Sequence, residues 1–331
     1  MTSEHPFNVL SPDWVLDAIE SLGNNLLRHE CSGHVMALGS YENRVYQVGL
    51  IDQVGLVDQE QPIIVKFYRP DRWTEAQIQE EHDFSFEAAD HDILVVTPIK
   101  NDAGQSVFKY QGFMLAVFPR KGGHSPELDY QDNLSIMGRT LARLHNIGAS
   151  KQFEHRPHLN AQTFGHDIVN YVAEHHIPFE HKSSYLAVTE QILGMAEQQL
   201  SNAQNIRVHG DLHVGNILLR DDLAHLVDFD DSRMAPAIQD IWMLLSGNSD
   251  EQQAQLQKII AAYNEFRDFP HHELHMIESL RSLRMIHHTG WIARRWNDPA
   301  FPVAFPWFED FNYWTHHIQD LQTQLNALQQ S

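Results

Sequence analysis

The sequence lacks the features that mark secreted, membrane-spanning and metal-stapled proteins. It has one cysteine, Cys31, so it can form neither an internal disulfide nor a multi-cysteine zinc site, which fits a reducing compartment. Its apolar stretches are far shorter than the ~20 residues that a membrane-spanning helix needs. The first residues show no basic stretch followed by an apolar one, so we expect no targeting segment. We therefore expect a cytoplasmic protein that has no membrane partner.

Basic residues are also scarce. The 331 residues include 23 Lys and Arg against 44 Asp and Glu, which gives a formal net charge of −21. This balance argues against a nucleic-acid partner, because binding to the phosphate backbone needs a basic surface. The bulk charge favours a basic stretch on a protein partner instead. The length predicts two domains or one bilobal fold with a large core, and we expect a monomer.

The first third of the chain predicts a mixture of strands and helices. Ser11 and Pro12 are typical of a helix start and Gly23 of a helix end. Thr74 and Gln77 form a capping-box pattern, which predicts a second helix that ends near residue 89. Runs rich in Val, Ile and Tyr between polar turns predict strands at 44–48, 63–68, 93–97 and 113–118.

The rest of the chain is predicted to be mostly helical. Apolar residues recur at helical spacing in 134–144, 186–200 and 274–292, and a hairpin is predicted from strands at 217–219 and 225–227. We therefore predict an α+β, bilobal fold with a ligand cleft between its lobes. Its parts are a small mixed N-lobe (1–118), a hinge rich in glycine and proline (119–126) and a larger, mainly helical C-lobe (127–331).

The motif with the most chemical content reads H-G-D-x-x-x-x-N and lies just before the predicted hairpin. Asp211 and Asn216 share its loop, and Asp228 follows the returning strand. Carboxylate and carboxamide oxygens suit Mg²⁺, which usually keeps several waters and substrate phosphates as further ligands. One further acid beside an acceptor hydroxyl can take its proton. The arrangement is typical of phosphoryl transfer, and a loop-forming Asx turn is the simpler interpretation.

Lys66 lies in a predicted strand that is apolar on both faces, so its charge needs a partner or a ligand. The capped helix can supply the partner. At about 100° per residue, Glu81 falls near the middle of the apolar stripe of that helix, whereas Glu80 falls at its edge. We predict an ion pair between Lys66 and Glu81, with Glu80 as the alternative and a solvated Lys66 as the simpler interpretation.

These motifs resemble the kinase superfamily in its aminoglycoside-phosphotransferase-like branch, which has H-G-D where ordinary protein kinases have H-R-D. Further segments, at 38–47, 65–70, 239–245 and 294–302, narrow the resemblance to bacterial serine/threonine protein kinases of that branch that act in stress responses. The resemblance implies transfer of the γ-phosphoryl group of ATP to serine or threonine of a protein. It also implies Mg²⁺ as the cofactor and ATP as the co-substrate.

The resemblance also assigns roles to particular residues. It makes Asp211 the proton acceptor for the substrate hydroxyl, and Asn216 and Asp228 the ligands of Mg²⁺. Lys66, paired with Glu81, would hold the α- and β-phosphates, as kinases do.

The predicted turn at 39–43 departs from the kinase pattern G-x-G-x-x-G, since it has only one glycine. Its backbone amides can still face phosphate, with Ser40 and Asn43 as side-chain donors, and the resemblance places Ser40 at the nucleotide. Taken alone, the segment is equally typical of a plain hairpin turn. By resemblance, His209 braces the catalytic loop, and His213 can approach the γ-phosphate.

Two other functions remain open from the sequence. The H-G-D branch also phosphorylates small molecules such as aminoglycosides, choline and homoserine, and the acceptor hydroxyl would meet Asp211 in either case. A metal-dependent hydrolase would instead gather His209, Asp211 and His213 around Zn²⁺ or Mn²⁺.

Overall fold

Two lobes of different composition face each other across a cleft in the computed structural model of the protein. The structure describes residues 5–23, 26, 30–51, 62–128, 130 and 132–330. The fold is α+β, with an antiparallel sheet and helices in the N-lobe and a mainly helical C-lobe. The start of the chain, for which no targeting segment is expected, lies mostly outside the described residues.

The N-lobe is built on an antiparallel sheet with a helix against each face. Its elements are α1 (Pro12–Glu20), β1 (Glu30–Leu38), β2 (Arg44–Ile51), β3 (Ile63–Phe67), α2 (Glu75–Asp90), β4 (Phe108–Tyr110) and β5 (Phe113–Pro119). Within the described residues the strand order is β1-β2-β3-β5-β4. The central position of β3 places its side chains between the two helices.

Local capping signals explain where the two N-lobe helices begin. The Ser11 hydroxyl accepts a hydrogen bond from the backbone of Trp14, and Pro12 is the first helical residue of α1. Thr74 and Gln77 form the predicted capping box at the start of α2. Each bond satisfies an amide that the first turn of a helix leaves unpaired. Both predicted helix starts are therefore confirmed.

The strand predicted at 93–97 is wrong. In the structure this segment makes one isolated bridge, Val95 to Leu226, and two flanking backbone hydrogen bonds to the same residue. The segment runs along the C-lobe hairpin rather than joining the N-lobe sheet. Pro98 follows at once and has no amide to donate, so the ladder cannot continue. The composition of this segment favours a strand, but the segment forms a single isolated bridge among the described residues.

The helices of the C-lobe surround two short antiparallel strand pairs. Its elements are α3 (Asn133–Gly148), α4 (Asp167–His175), α5 (Phe179–Leu200), β6 (Ile206–Val208), β7 (Ile217–Arg220), β8 (Leu223–Leu226), β9 (Arg233–Ala235), α6 (Ile238–Trp242), α7 (Ser249–Tyr263), α8 (Ile277–Arg294), α9 (Ala300–Ala304) and α10 (Phe311–Leu328). None of the helices in the described ranges is both long enough and apolar enough to pass through a membrane.

The two strand pairs of the C-lobe bring the motif residues together. β7 and β8 form the predicted hairpin, with Asp221 and Asp222 both at positive φ, as a tight two-residue turn requires. β6 pairs antiparallel with β9, so that Val208 lies opposite Arg233. The loop after β6 and the segment after β8 are therefore neighbours.

The segment 119–126 connects the lobes. It contains the last residue of β5, and His124 exchanges backbone hydrogen bonds of 3.1 and 2.8 Å with Leu219 of β7. The division into a lobe ending at residue 118 and a lobe beginning at residue 127 remains a prediction.

Candidate active site

The cleft between the lobes contains two cavities that meet at shared residues. The sheet cavity, of about 620 Å³, lies under the N-lobe strands and includes Lys66 and Asn216 in its lining. The α8 cavity, of about 530 Å³, lies beside α8 and includes Asp211 in its lining. Residues that line both cavities are Ser40, Asn43 and Asp228. A molecule that spans the two cavities therefore passes these three residues.

Lys66 projects from β3 into a group of three carboxylates. Its Nζ lies 2.9 Å from Asp228 Oδ1, 3.2 Å from Asp230 Oδ1 and 3.8 Å from Glu81 Oε1. Burial alone would lower the pKa of the Lys66 ammonium, but the carboxylates outweigh burial and raise its pKa well above the ordinary value. Lys66 therefore stays charged at neutral pH.

The structure places Glu81 rather than Glu80 beside Lys66. Glu81 lies on the buried face of α2, as the helical spacing predicts. Burial raises the pKa of Glu81 to about 7, although Lys66 acts in the opposite direction. The Glu80 carboxylate instead accepts hydrogen bonds of 2.6 to 2.9 Å from the backbone amides of residues 154–156. Glu80 therefore ties α2 to the C-lobe and is not available to Lys66.

The loop after β6 is held rigidly by buried hydrogen bonds. The Asp240 carboxylate accepts 2.8 Å hydrogen bonds from the backbone amides of His209 and Gly210. The His209 ring donates through Nε2 to the carbonyl oxygen of Val227 at 2.9 Å, so it braces the loop against the end of the hairpin. Gly210 has φ +86°, and a Cβ there would lie 2.3 Å from the carbonyl oxygen of Asp231. The glycine of H-G-D is therefore required by the backbone and by the close approach of the neighbouring segment.

The two carboxylate oxygens of Asp211 have different surroundings. Oδ1 lies 2.6 Å from Nη1 of Arg284 on α8, and Oδ2 lies 3.8 Å from Nε2 of His213. Arg284 thus pairs with one oxygen of Asp211 and does not pair with the other. His213 accepts a hydrogen bond from Gly215 N through Nδ1 and lines neither cavity, so its position does not support contact with a γ-phosphate.

Asn216 and Asp228 offer oxygen atoms that suit a magnesium ion. Asn216 donates through Nδ2 to the carbonyl oxygen of Asp211 at 2.9 Å, and no donor from the described residues bonds its Oδ1. Asp228 is 54% exposed and adopts φ +60°, which is unusual for a residue other than glycine. Asp228 at the cavity junction and Asn216 in the lining of the sheet cavity thus offer oxygen ligands of the kind that Mg²⁺ prefers, and Mg²⁺ takes its remaining ligands from water and phosphate.

Zinc is a poor match for this site. The His209 ring uses both nitrogen atoms on the backbone, with Val227 O and Asp211 N as partners. Across the described ranges there is no group of three or more His, Cys, Asp or Glu side chains arranged to hold a metal ion. In the alternative hydrolase site of His209, Asp211 and His213, the His209 ring is therefore not available as a metal ligand.

The turn between β1 and β2 is attached to the C-lobe. Asn43 is buried, accepts a hydrogen bond from Arg69 N at 3.1 Å, and donates one to Asp230 Oδ2 at 3.1 Å. Asn43 is thus a link between the lobes in this structure rather than a free donor for phosphate. On the same turn Glu42 pairs with Arg295 at 2.6 Å. Ser40 lies at the junction of the two cavities, and its contact with the nucleotide stays a prediction.

Several buried cations around the site were missed by sequence reasoning. Arg156 is 3% exposed and donates to the carbonyl oxygens of Gln77 and Ser232. Arg72 pairs with Asp230 and Asp231. The sequence did indicate that cations lie nearby, because Asp230 and Asp231 follow within three residues of Asp228 and carboxylates are not buried without cationic partners. Which arginines would supply them could not be read from the sequence.

Comparison with known proteins gives consistent matches. Residues 34–275 match the model of the phosphotransferase enzyme family. The chain is 38% identical to stress response kinase A of Escherichia coli strain K12, over 99% of this chain and 96% of that protein. It is also 38% identical to the serine/threonine protein kinase RdoA of Salmonella typhimurium, over 93% of this chain and 90% of that protein.

Two solved structures of similar fold are kinases whose names include a small molecule. The amicoumacin kinase hAmiN, in complex with AMP-PNP, Ca²⁺ and Ami, has a TM-score of 0.69 and 19% identity, with 92% of this chain and 93% of that chain covered. A microcompartment-associated aminopropanol kinase has a TM-score of 0.67 and 17% identity, with 94% and 95% covered. At these identities the likeness shows the fold alone.

Proposed function

The chain belongs to the phosphotransferase enzyme family, and on that basis we propose that it is a protein kinase, which transfers the γ-phosphoryl group of Mg·ATP to serine and threonine hydroxyls of proteins. One observation carries the proposal. Lys66 and Asp228, from opposite lobes, meet at 2.9 Å where the two cavities join, and Asp211 lines the cavity beyond that junction. Phosphoryl transfer needs this order of nucleotide, reacting phosphate and acceptor hydroxyl.

Each side chain has a distinct task in this proposal. Asp211 accepts the proton of the attacking hydroxyl through the oxygen that Arg284 leaves free. Lys66 binds phosphate oxygens, and Glu81 supports the position of its ammonium group. Asn216 and Asp228 would hold Mg²⁺, which neutralises charge on the phosphates when bound.

The turn between β1 and β2 covers the junction. Ser40 donates to the nucleotide there, and Asn43 keeps the turn in place through its bonds to both lobes. His213 stays a weaker candidate for nucleotide contact, because its ring faces Gly215 and Asp211.

A protein acceptor and a stress-related role are supported by the names of the relatives, which are called stress response kinase A and serine/threonine protein kinase. A cytoplasmic location is supported by the single cysteine, because disulfide-free chains are typical of reducing compartments. The alternative is a small-molecule kinase, which is favoured by the names of the structural neighbours and by an α8 cavity of small-molecule size.

Transfer of label from radioactive ATP distinguishes these functions. The enzyme is incubated with Mg²⁺ and γ-labelled ATP, either with generic protein substrates or with a panel of aminoglycosides and amino alcohols. We expect label on serine and threonine of the proteins, and a rate of labelling lower by roughly 10²–10⁴-fold with Asp211→Asn. Label on an amino alcohol instead, at a rate well above that on protein, would select the alternative function.

A further inference from the structure

Helix α8 is basic although the protein as a whole is acidic. Its eighteen residues carry Arg281, Arg284 and Arg294 against a single acid, Glu278, and Arg295 follows directly. The face of α8 turned to the cleft carries most of these cations, since Arg284, Arg294 and Arg295 all line the α8 cavity. This local balance is opposite to the net charge of −21 for the chain.

The carboxylates that line the α8 cavity are already neutralised. Each has a cationic partner, and the pairs are Glu42 with Arg295, Asp211 with Arg284, Asp228 with Lys66, Asp230 with Arg72 and Asp231 with Arg233. A cationic acceptor, such as an amino alcohol, would therefore find no unpaired carboxylate in this wall. It would have to displace an arginine from an existing ion pair.

Arg294 is different from the other cations of this wall. It is exposed, and among the described residues its guanidinium group contacts the carbonyl oxygen of Asp167, at 3.4 Å, and the ring of Tyr171. No carboxylate of the described residues lies within 4.0 Å of it. His287 and His288 add no charge near it, because burial lowers the pKa of both, that of His287 to about 3.

We propose that Arg294 forms an anion-binding subsite for the acceptor, so that the substrate is a hydroxyl compound with an acidic group at a set distance from the hydroxyl. The proposal rests on the proposed function and adds the chemical class of the acceptor. In a protein the acidic group is Glu, Asp or a phosphorylated residue. In a small molecule it is a carboxylate or a phosphate.

The rise of helix α8 sets the scale of the distance between the hydroxyl and the acidic group. Arg284 holds Asp211, and Arg294 lies ten residues further along α8, which corresponds to about 15 Å at the usual rise of about 1.5 Å per residue. An extended peptide covers that distance in four or five residues, at about 3.3 Å per residue. The acidic residue is therefore expected four or five positions from the acceptor serine.

The bulk charge does not oppose this subsite. Surface acids beyond the screening length, about 8 Å at physiological salt, contribute little at Arg294. The net charge of the chain favours a basic stretch on a partner, whereas the residues that line the α8 cavity favour an acidic group on the acceptor. Local charges at the site of contact determine the preference.

The test uses matched serine peptides that differ at one position. Each peptide carries Glu, Gln or Lys at two to six positions before or after the serine, and kcat/KM is measured with the full-length enzyme. We expect Glu four or five positions away to raise kcat/KM about tenfold over Gln, mainly through KM, as one partly exposed charge-assisted contact does. The preference should fall as salt rises. No preference, or a preference for Lys, would overturn the subsite.

Arginine variants assign the effect to one residue. Arg294→Gln should reduce the Glu preference to less than about twofold, Arg294→Lys should retain part of it, and Arg294→Glu should transfer the preference to the Lys peptide. The matched control is Arg139→Gln, since Arg139 is a partly exposed arginine on α3 that lines neither cavity. A Glu preference that survives in Arg294→Gln would contradict the assignment.

A failure of the subsite can be told apart from a failure of the proposed function. Fluorescence anisotropy of labelled Glu and Lys peptides measures the subsite without turnover, and tighter binding of the Glu peptide that depends on Arg294 supports it. Phosphorylation of small hydroxy acids but not peptides would support the subsite and reject the protein acceptor. Phosphorylation of amino alcohols, or equal binding of both peptides, would overturn the subsite.

Discussion

Lys66 Nζ and Asp228 Oδ1 lie 2.9 Å apart, and this contact joins the central strand of the N-lobe to the end of the C-lobe hairpin. Lys66 is 7% exposed, whereas Asp228 is 54% exposed and held at positive φ. A buried cation thus faces an accessible carboxylate at the junction of the two cavities. Phosphate oxygens can approach Lys66 from the same side, and a divalent cation can approach Asp228.

Replacement of Asp228 by Asn is expected to weaken binding of Mg·ATP by at least about tenfold, because the amide has lost the charge that attracts the cation. Titration calorimetry with a non-hydrolysable ATP analogue, with and without Mg²⁺, measures this effect. The matched control is Asp222→Asn, an exposed turn residue at positive φ that asparagine tolerates. Unchanged Mg²⁺-dependent affinity in Asp228→Asn would remove Asp228 from the proposed metal site.

Replacement of Asp211 by Asn should separate catalysis from nucleotide binding. Loss of the proton acceptor is expected to lower kcat by roughly 10²–10⁴-fold. Nucleotide affinity should stay within about twofold, because Asp211 lines the α8 cavity and not the sheet cavity. Single-turnover kinetics and the same calorimetric titration measure the two quantities. A variant that binds ATP normally and keeps full turnover would rule out Asp211 as the base.

Replacement of Glu87 by Gln should destabilise the protein by roughly 2–3 kcal/mol at neutral pH, since it leaves the buried guanidinium group of Arg207 without a negatively charged partner. Glu87 accepts a 2.8 Å bond from Arg207, which is 2% exposed, and also pairs with Lys151. Burial would raise the pKa of Glu87, but hydrogen bonds from these two cations lower its pKa to about 2. Urea unfolding at several pH values measures the difference.

The sign of this pH dependence follows from the lowered pKa. The pair stabilises the native state fully above the unfolded-state pKa of about 4.5, and its contribution is lost as pH falls towards 2. The difference in stability between the wild type and Glu87→Gln should therefore begin to shrink below about pH 4.5 and close as pH approaches 2. Glu190→Gln, an exposed acid on α5, is the control and should change stability by less than about 0.5 kcal/mol. A constant difference from pH 7 to pH 3 would contradict the proposed pair.

Replacement of Gly210 by Ala should cost roughly 2 kcal/mol or more and lower kcat, because its Cβ would meet the carbonyl oxygen of Asp231 at positive φ. The matched control is Gly194→Ala on α5, where a Cβ has open space. The control should be stabilised by about 0.5–1 kcal/mol, since alanine favours the helix. Thermal unfolding and steady-state assays measure both variants. Equal stability of the two variants would show that the catalytic loop can move away from Asp231.

Local features of the structure were predictable because their causes lie within a few residues. The capping bonds of Ser11 and Thr74 connect neighbours in the chain, and the hairpin turn needs only two residues that accept positive φ. The strand predicted at 93–97 failed for the complementary reason. Its composition favours a strand, but whether a strand forms depends on a partner with free backbone groups, and Leu226 offered only one bridge.

The sequence by itself determined the caps, the hairpin, the apolar faces around Lys66 and the helical stripe that contains Glu81, since each follows from spacing along the chain. Only the tertiary structure decided that Arg284 holds Asp211, that Asn43 links the lobes, and that an acidic protein presents a basic helix to its cleft. These contacts join residues that are distant in sequence. Ion pairs form only between groups a few ångströms apart in space. The net charge of the whole chain does not show which charged groups are brought that close.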